Sequence, residues 1–131
     1  MCYTYYMDIK EISERFGLEF ILLFGSRACG AETGESDLDI AVYGSHILSE
    51  DEKMNLIYEL SHIFKSEDID LVDIKNAPPL LRKKIFDNYR VIYLRSPFLL
   101  YQVELASLYE YNEARLLYEI RRERLKEFIN D

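Results

Sequence analysis

At 131 residues the chain has room for one domain with a real core and not for two. Hydrophobic residues make up 49% and charged residues 31%, an ordinary water-soluble balance, and no apolar run reaches the ~18 residues a membrane helix needs. The net charge of −8 argues against a general nucleic-acid binder, because a phosphate backbone demands a basic face; it leaves room for nucleotides, which metal ions can neutralise.

The start, "MCYTYYMDIK", has neither a basic leader nor a long apolar core, so a secretory signal is not expected. Cys2 and Cys29 show no metal-ligand spacing. Buried or idle thiols in a reducing cytoplasm are the expected reading. In "DIKEISERFG", Ile9, Ile12 and Phe16 recur at helical spacing and Gly17 ends the helix. "LEFILLF", Leu18 to Phe24, is a continuous apolar run of strand length, as in a strand covered on both faces. After a Gly-Ser turn and room for a short helix, "DLDIAVY" reads as a second strand.

"SEDEKMNLIYELSHIF" opens with Ser49 and places Glu52 three residues on, a capping box. Met54, Ile57, Leu60, Ile63 and Phe64 trace its expected apolar stripe. "IDLVDI", Ile69 to Ile74, predicts a third strand. "APPLLRKKIFDN" predicts a helix with Pro78 or Pro79 at its start, and "RVIYL" a fourth strand. From Pro97 the sequence reads as helix to about Phe128. The order is α-β-(turn)-β-α-β-α-β-α, which gives a small mixed α/β (α+β) sheet of about four strands flanked by helices. The expected organisation is a core over 1–96 and a helical extension over 97–131, in one domain.

Asp37 and Asp39 lie two apart on a strand, so their side chains leave the same face, while Leu38 and Ile40 enter the core. Unit charges ~5 Å apart at an effective dielectric near 20 repel by about 3 kcal/mol. Either one carboxylate stays protonated or a cation sits between them. Oxygen ligands favour Mg²⁺ or Mn²⁺ over zinc. A third carboxylate would complete a two-metal site, and "EDIDLVDI" offers Asp68, Asp70 and Asp73. Asp70 is preferred because it sits within the strand as Asp39 does. Asp73 nears the strand end, where a solvent-facing position is expected. Gly25 lets the backbone approach a ligand, and a helix start at Ser26 would offer free amides to a phosphate.

Gly25-Ser26, ten residues, then Asp37-x-Asp39 resembles the signature of the DNA polymerase β-like nucleotidyltransferases. More narrowly, "LFGSRACG…SDLDIAV" followed by "IDLVDIKNAPPLLRKKIFDNYRVIYL" resembles the minimal nucleotidyltransferases, the MNT antitoxins paired with HEPN toxins. The resemblance runs from about Phe20 to Leu94. It departs at Cys29, where the usual "GSRARG" has a second arginine. It implies that Gly25 and Ser26 bind the triphosphate of ATP, with Arg27 near the phosphates. It implies that Asp37 and Asp39 hold two Mg²⁺ ions, Mn²⁺ being the alternative, and that Asp70 holds one of them and helps deprotonate the acceptor. The implied reaction moves AMP to a tyrosine of the cognate HEPN RNase toxin and so neutralises it. The alternatives are a catalytically idle antitoxin that acts by binding alone, and transfer to a small molecule, for which no acceptor domain has room.

His46 and His62, sixteen apart, read as surface or packing residues. Cys29 reads as small filler rather than a nucleophile. Eleven tyrosines suit half-buried or interface positions. A straight helix of ~30 residues spans ~45 Å, more than the sheet can cover. Leu105, Leu108, Leu116, Ile120 and Phe128 would then be only partly buried. The helix either docks on a partner or a second copy, or folds back at a break near Asn112.

Overall fold

The computed structural model describes residues 3–25 and 37–129. Helix α1 (Tyr3–Arg15) leads into β1 (Leu18–Phe24), then β2 (Leu38–Gly44), α2 (Glu50–Phe64) and β3 (Ile69–Asp73). A 3₁₀ turn (Ile74–Asn76), α3 (Pro79–Asp87), β4 (Tyr89–Leu94) and α4 (Pro97–Ile129) follow. The expected element order and four-strand sheet are both present. The turn and short helix expected over residues 26–36 lie outside the described residues.

The strands run in the order β3-β2-β1-β4. β1 pairs antiparallel with β2 and with β4, whereas β2 and β3 are parallel and joined through α2. Central β1 is covered on both faces, as its unbroken apolar run predicts. On one face Ile21 packs with Ile9 and Ile12 of α1 and Leu56 and Leu60 of α2. On the other, Phe20, Leu22 and Phe24 pack with Ile85 of α3 and Leu100 and Val103 of α4. Gly17 follows α1 at φ +69°, a conformation that suits glycine, and its carbonyl accepts from Ser45 N–H at 3.0 Å.

The capping box at α2 is formed: Glu52 N–H donates to Ser49 Oγ at 3.2 Å, and Ser49 N–H donates to Glu52 Oε1 at 3.1 Å. The stripe on that helix differs from the expected one. Leu56 and Leu60 are fully buried and Ile57, Ile63 and Phe64 flank them, but Met54 is 68% exposed. At 3.6 residues per turn Met54 stands about 120° round the helix from Leu60, off the stripe.

Helix α4 is continuous through Asn112, so the break does not form. Only Leu100, Val103 and Ser107 are buried along it; Leu105, Leu108, Leu116, Ile120 and Phe128 are all exposed. Arg82 ties α3 to its surroundings. Its guanidinium donates to the carbonyls of Ile74 (2.9 Å) and Lys75 (3.3 Å) and pairs with Glu110 of α4 at 2.9 Å.

Asp73 is not at the solvent. It is 5% exposed, and its carboxylate accepts from Leu48 N–H at 2.8 Å and Lys75 N–H at 3.1 Å. Strand alternation puts Asp73 on the α1/α2 face, where the approach to α2 crosses it. It pins the segment before α2 to the end of β3, so its role is architectural. Hydrogen bonds to charged groups contribute about 1.5–3 kcal/mol each, and a buried donor left unpaired costs more. Asp73→Ala should therefore lower the unfolding free energy by about 3 kcal/mol in urea titration. Asp70→Ala should not lower it and, by relieving the charge facing Asp39, should raise it slightly at neutral pH.

Candidate active site

The register of the sheet assembles the site. Asp39 faces Asp70 across the parallel β2–β3 pair, and faces Phe24 across the antiparallel β1–β2 pair. Phe24 in turn faces Tyr89 of β4. One row of side chains, Asp70–Asp39–Phe24–Tyr89, thus crosses the whole sheet on the α3/α4 face. Phe24 is buried, Asp39 is half-buried and Asp70 is exposed. The acidic end of the row looks outward while the aromatic end closes the core. Tyr89 Oη donates to Glu104 Oε2 at 3.1 Å, tying the aromatic end to α4.

Neighbouring strands lie about 4.8 Å apart, so two ionised carboxylates paired this way repel at close range. The effect registers on Asp39, whose pKa is raised above the usual carboxylate value. Partial burial is the largest cause and the Asp70 charge the next; Lys84 acts in the opposite sense and Asp37 adds to the rise. Asp37 is exposed, just before β2 and on the Asp39 side of the strand. Asp37, Asp39 and Asp70 are therefore brought to one end of one face. Among the described residues no three His, Cys, Asp or Glu side chains converge tightly enough to make a ready cage for a metal ion. Asp39 and Asp70 are the closely matched pair.

Gly25 completes this corner. Its φ is +81°, and a Cβ placed there would come within 2.5 Å of Asp39 Oδ2. Glycine is required twice over: for the backbone angle, and because any side chain would press on that carboxylate. Gly25, the residue that follows β1, consequently lies directly against Asp39. Ser26, Arg27 and Cys29, named from the sequence, lie outside the described residues.

Lys84 of α3 is a residue that the sequence reading does not single out. The available signal is the "RKK" run close before β4, whose register partner Phe24 adjoins Asp39. The two histidines have local roles. His46 Nε2 lies 2.9 Å from Glu52 Oε2, and the His62 ring sits at 4.5 Å from that of Tyr58. No described helix is long and apolar enough to cross a membrane.

Residues 8–98, well over half of the chain, match the family model described as polymerase beta, nucleotidyltransferase. The protein adenylyltransferase MntA of Shewanella oneidensis (strain MR-1) is 30% identical over 98 residues, covering 74% of this chain and 70% of that one. Among solved structures, a toxin–antitoxin with AMP-PNP superposes with a TM-score of 0.78 at 21% identity, over 92% of this chain and 98% of the other. An MNT antitoxin structure, in which a tri-AMPylated Shewanella oneidensis HEPN toxin is the complex partner, gives 0.72 at 20% identity, over 96% and 99%. These structures share the fold, and MntA shares sequence over 98 residues. The chain belongs to the polymerase β-type nucleotidyltransferases and is a relative of the MntA antitoxins.

Proposed function

We propose that this chain is an antitoxin that transfers AMP from ATP to a tyrosine of its cognate HEPN toxin, with Mg²⁺ or Mn²⁺ required. The observation that carries the reading is the Asp39–Asp70 pair set against Gly25. Two like charges held side by side in a half-exposed corner cost stability, and that cost has a use if a cation is to be held there. The kinship with a protein adenylyltransferase supports the same chemistry.

The donor set suits a hard divalent cation: it is all carboxylate oxygen, and Asp39 and Asp70 make no hydrogen bond or ion pair to another described residue. Asp37, Asp39 and Asp70 are assigned as its ligands. When bound, such ions offset charge on the phosphates and on the entering and leaving oxygens. Gly25 and Ser26 are assigned to the triphosphate, with Arg27 beside it. The phenolic oxygen of the acceptor attacks the α-phosphorus in line as the bond to the bridging β-phosphate oxygen breaks. Pyrophosphate leaves, and the phenolic proton passes to Asp70, the more exposed carboxylate of the pair. Residues 1–96 act as the transferase core, and 97–131 extend the same domain. The exposed apolar side chains of α4, uncovered by this chain, are assigned to contact with the toxin. The reaction and its protein substrate belong in the cytoplasm.

Incubation of the chain with ATP, Mg²⁺ and the toxin should add one or more AMP masses to the toxin in intact mass spectrometry. Asp39→Asn should abolish that addition. A toxin silenced with no change in mass would favour inhibition by binding alone. A chain truncated after Asn112 should lose toxin binding in size-exclusion chromatography with light scattering, and retained binding would remove α4 from the interface.

The raised pKa of Asp39 has a sign that can be worked out. Folding favours its protonated form, so the fold is most stable below the unfolded value of ~3.9 and loses stability as pH rises through the folded value. Asp39→Asn removes that loss. Without divalent cations the inactive variant should melt higher than the parent at pH 7, and the gap should close as pH falls toward ~3.9. A variant that melts lower at pH 7 would contradict the electrostatic account.

A further inference from the structure

We propose that Lys84 is a phosphate-binding residue of this site, its ammonium meeting the triphosphate above the Asp39 end of the sheet. The inference rests on the nucleotide-transfer reading above and adds to it a residue on a different element from the carboxylates and the Gly25 bend.

The path of the chain carries the argument. Ile85 of α3 is fully buried in the same cluster as Phe24, so the last turn of α3 is packed onto the face that bears the Asp70–Asp39–Phe24–Tyr89 row. The helix ends at Asp87, and after Asn88 the chain enters β4 at Tyr89, the aromatic end of that row. Lys84 belongs to this last turn, next to Ile85, and is exposed. A lysine leaving the helix on this packed face lies near enough to the acidic end of the row for its charge to act on Asp39.

Three cations follow one another on α3, and two are committed. Arg82 is held by the carbonyls of Ile74 and Lys75 and by Glu110. Lys83 pairs with Asp87 and lies 5.2 Å from the centre of the Tyr111 ring. Lys84 makes no hydrogen bond or ion pair to another described residue. It is not within ion-pairing distance of Asp39, whose charge it feels only at longer range. A flexible ammonium suits a multiply charged phosphate chain as a mobile point charge. The alternative role is complementing the C-terminal end of the α3 dipole, which any exposed cation there would do.

The two roles separate by ligand. Calorimetric titration of the full chain with Mg²⁺ and a non-hydrolysable ATP analogue should show binding weakened about tenfold or more in Lys84→Met, the change expected from losing one hydrogen bond to a charged group. Binding of adenosine should be unaltered, Lys84→Arg should recover most of the loss, and Lys83→Met should bind as the parent does. Melting temperatures show that each variant is folded. Parent-like binding of the triphosphate by a folded Lys84→Met overturns the assignment, and so does equal weakening toward adenosine. A parent chain that binds no nucleotide overturns the nucleotide reading itself, and the Lys84 assignment falls with it.

Discussion

Two carboxylates, Asp39 and Asp70, sit opposite one another on adjacent parallel strands, and the organisation of this small protein turns on that repulsion. A sheet can hold such a pair only if its register is fixed by other forces, since sliding β3 by one residue would relieve it and turn every side chain over. Here the register is fixed from the opposite face. Leu38, Ile40 and Val42 of β2 and Leu71 of β3 are packed into the α1/α2 core. Asp73, three residues beyond Asp70 and on that opposite face, is locked by two backbone N–H groups. The burial of one face holds the charges of the other in place.

The same division explains why two acidic residues of one strand behave so differently. Asp73 is buried and accepts from two backbone N–H groups; Asp70 is exposed and faces another acid across the strand pair. The first stabilises the fold. The second lowers its stability and is available for a ligand that brings positive charge. Gly25 belongs with the second group, because only a residue with no side chain can lie as close to Asp39 as it does. Proteins tend to concentrate such locally unfavourable arrangements where they work.

Much of this is legible from residue order. The strand runs Leu18–Phe24 and "DLDIAVY", the capping box at Ser49 and the place of Asp70 within a strand all follow from local patterns, and the fold carries each of them. The destination of Asp73 is not legible. A carboxylate near a strand end reads as solvent-facing, and one of the donors that bury it comes from Leu48, 25 positions away. Met54 departs for a smaller reason, since a stripe drawn by residue type strays about 120° from its centre. The continuity of α4 through Asn112 stays open in the sequence because an exposed helix is decided by its neighbours rather than by its own periodicity. Lys84 is hidden among three consecutive cations, whose separate fates depend on which way each leaves the helix.

The most direct measurement is the titration of the Asp39 carboxyl itself, followed by carbon-detected NMR in the parent chain and in Asp70→Asn. Coupling across the β2–β3 pair predicts that Asp39 titrates above the usual aspartate value in the parent. It should fall toward that value when Asp70 loses its charge. An Asp39 that titrates normally, or that ignores the change at position 70, would mean that the two acids do not share a site.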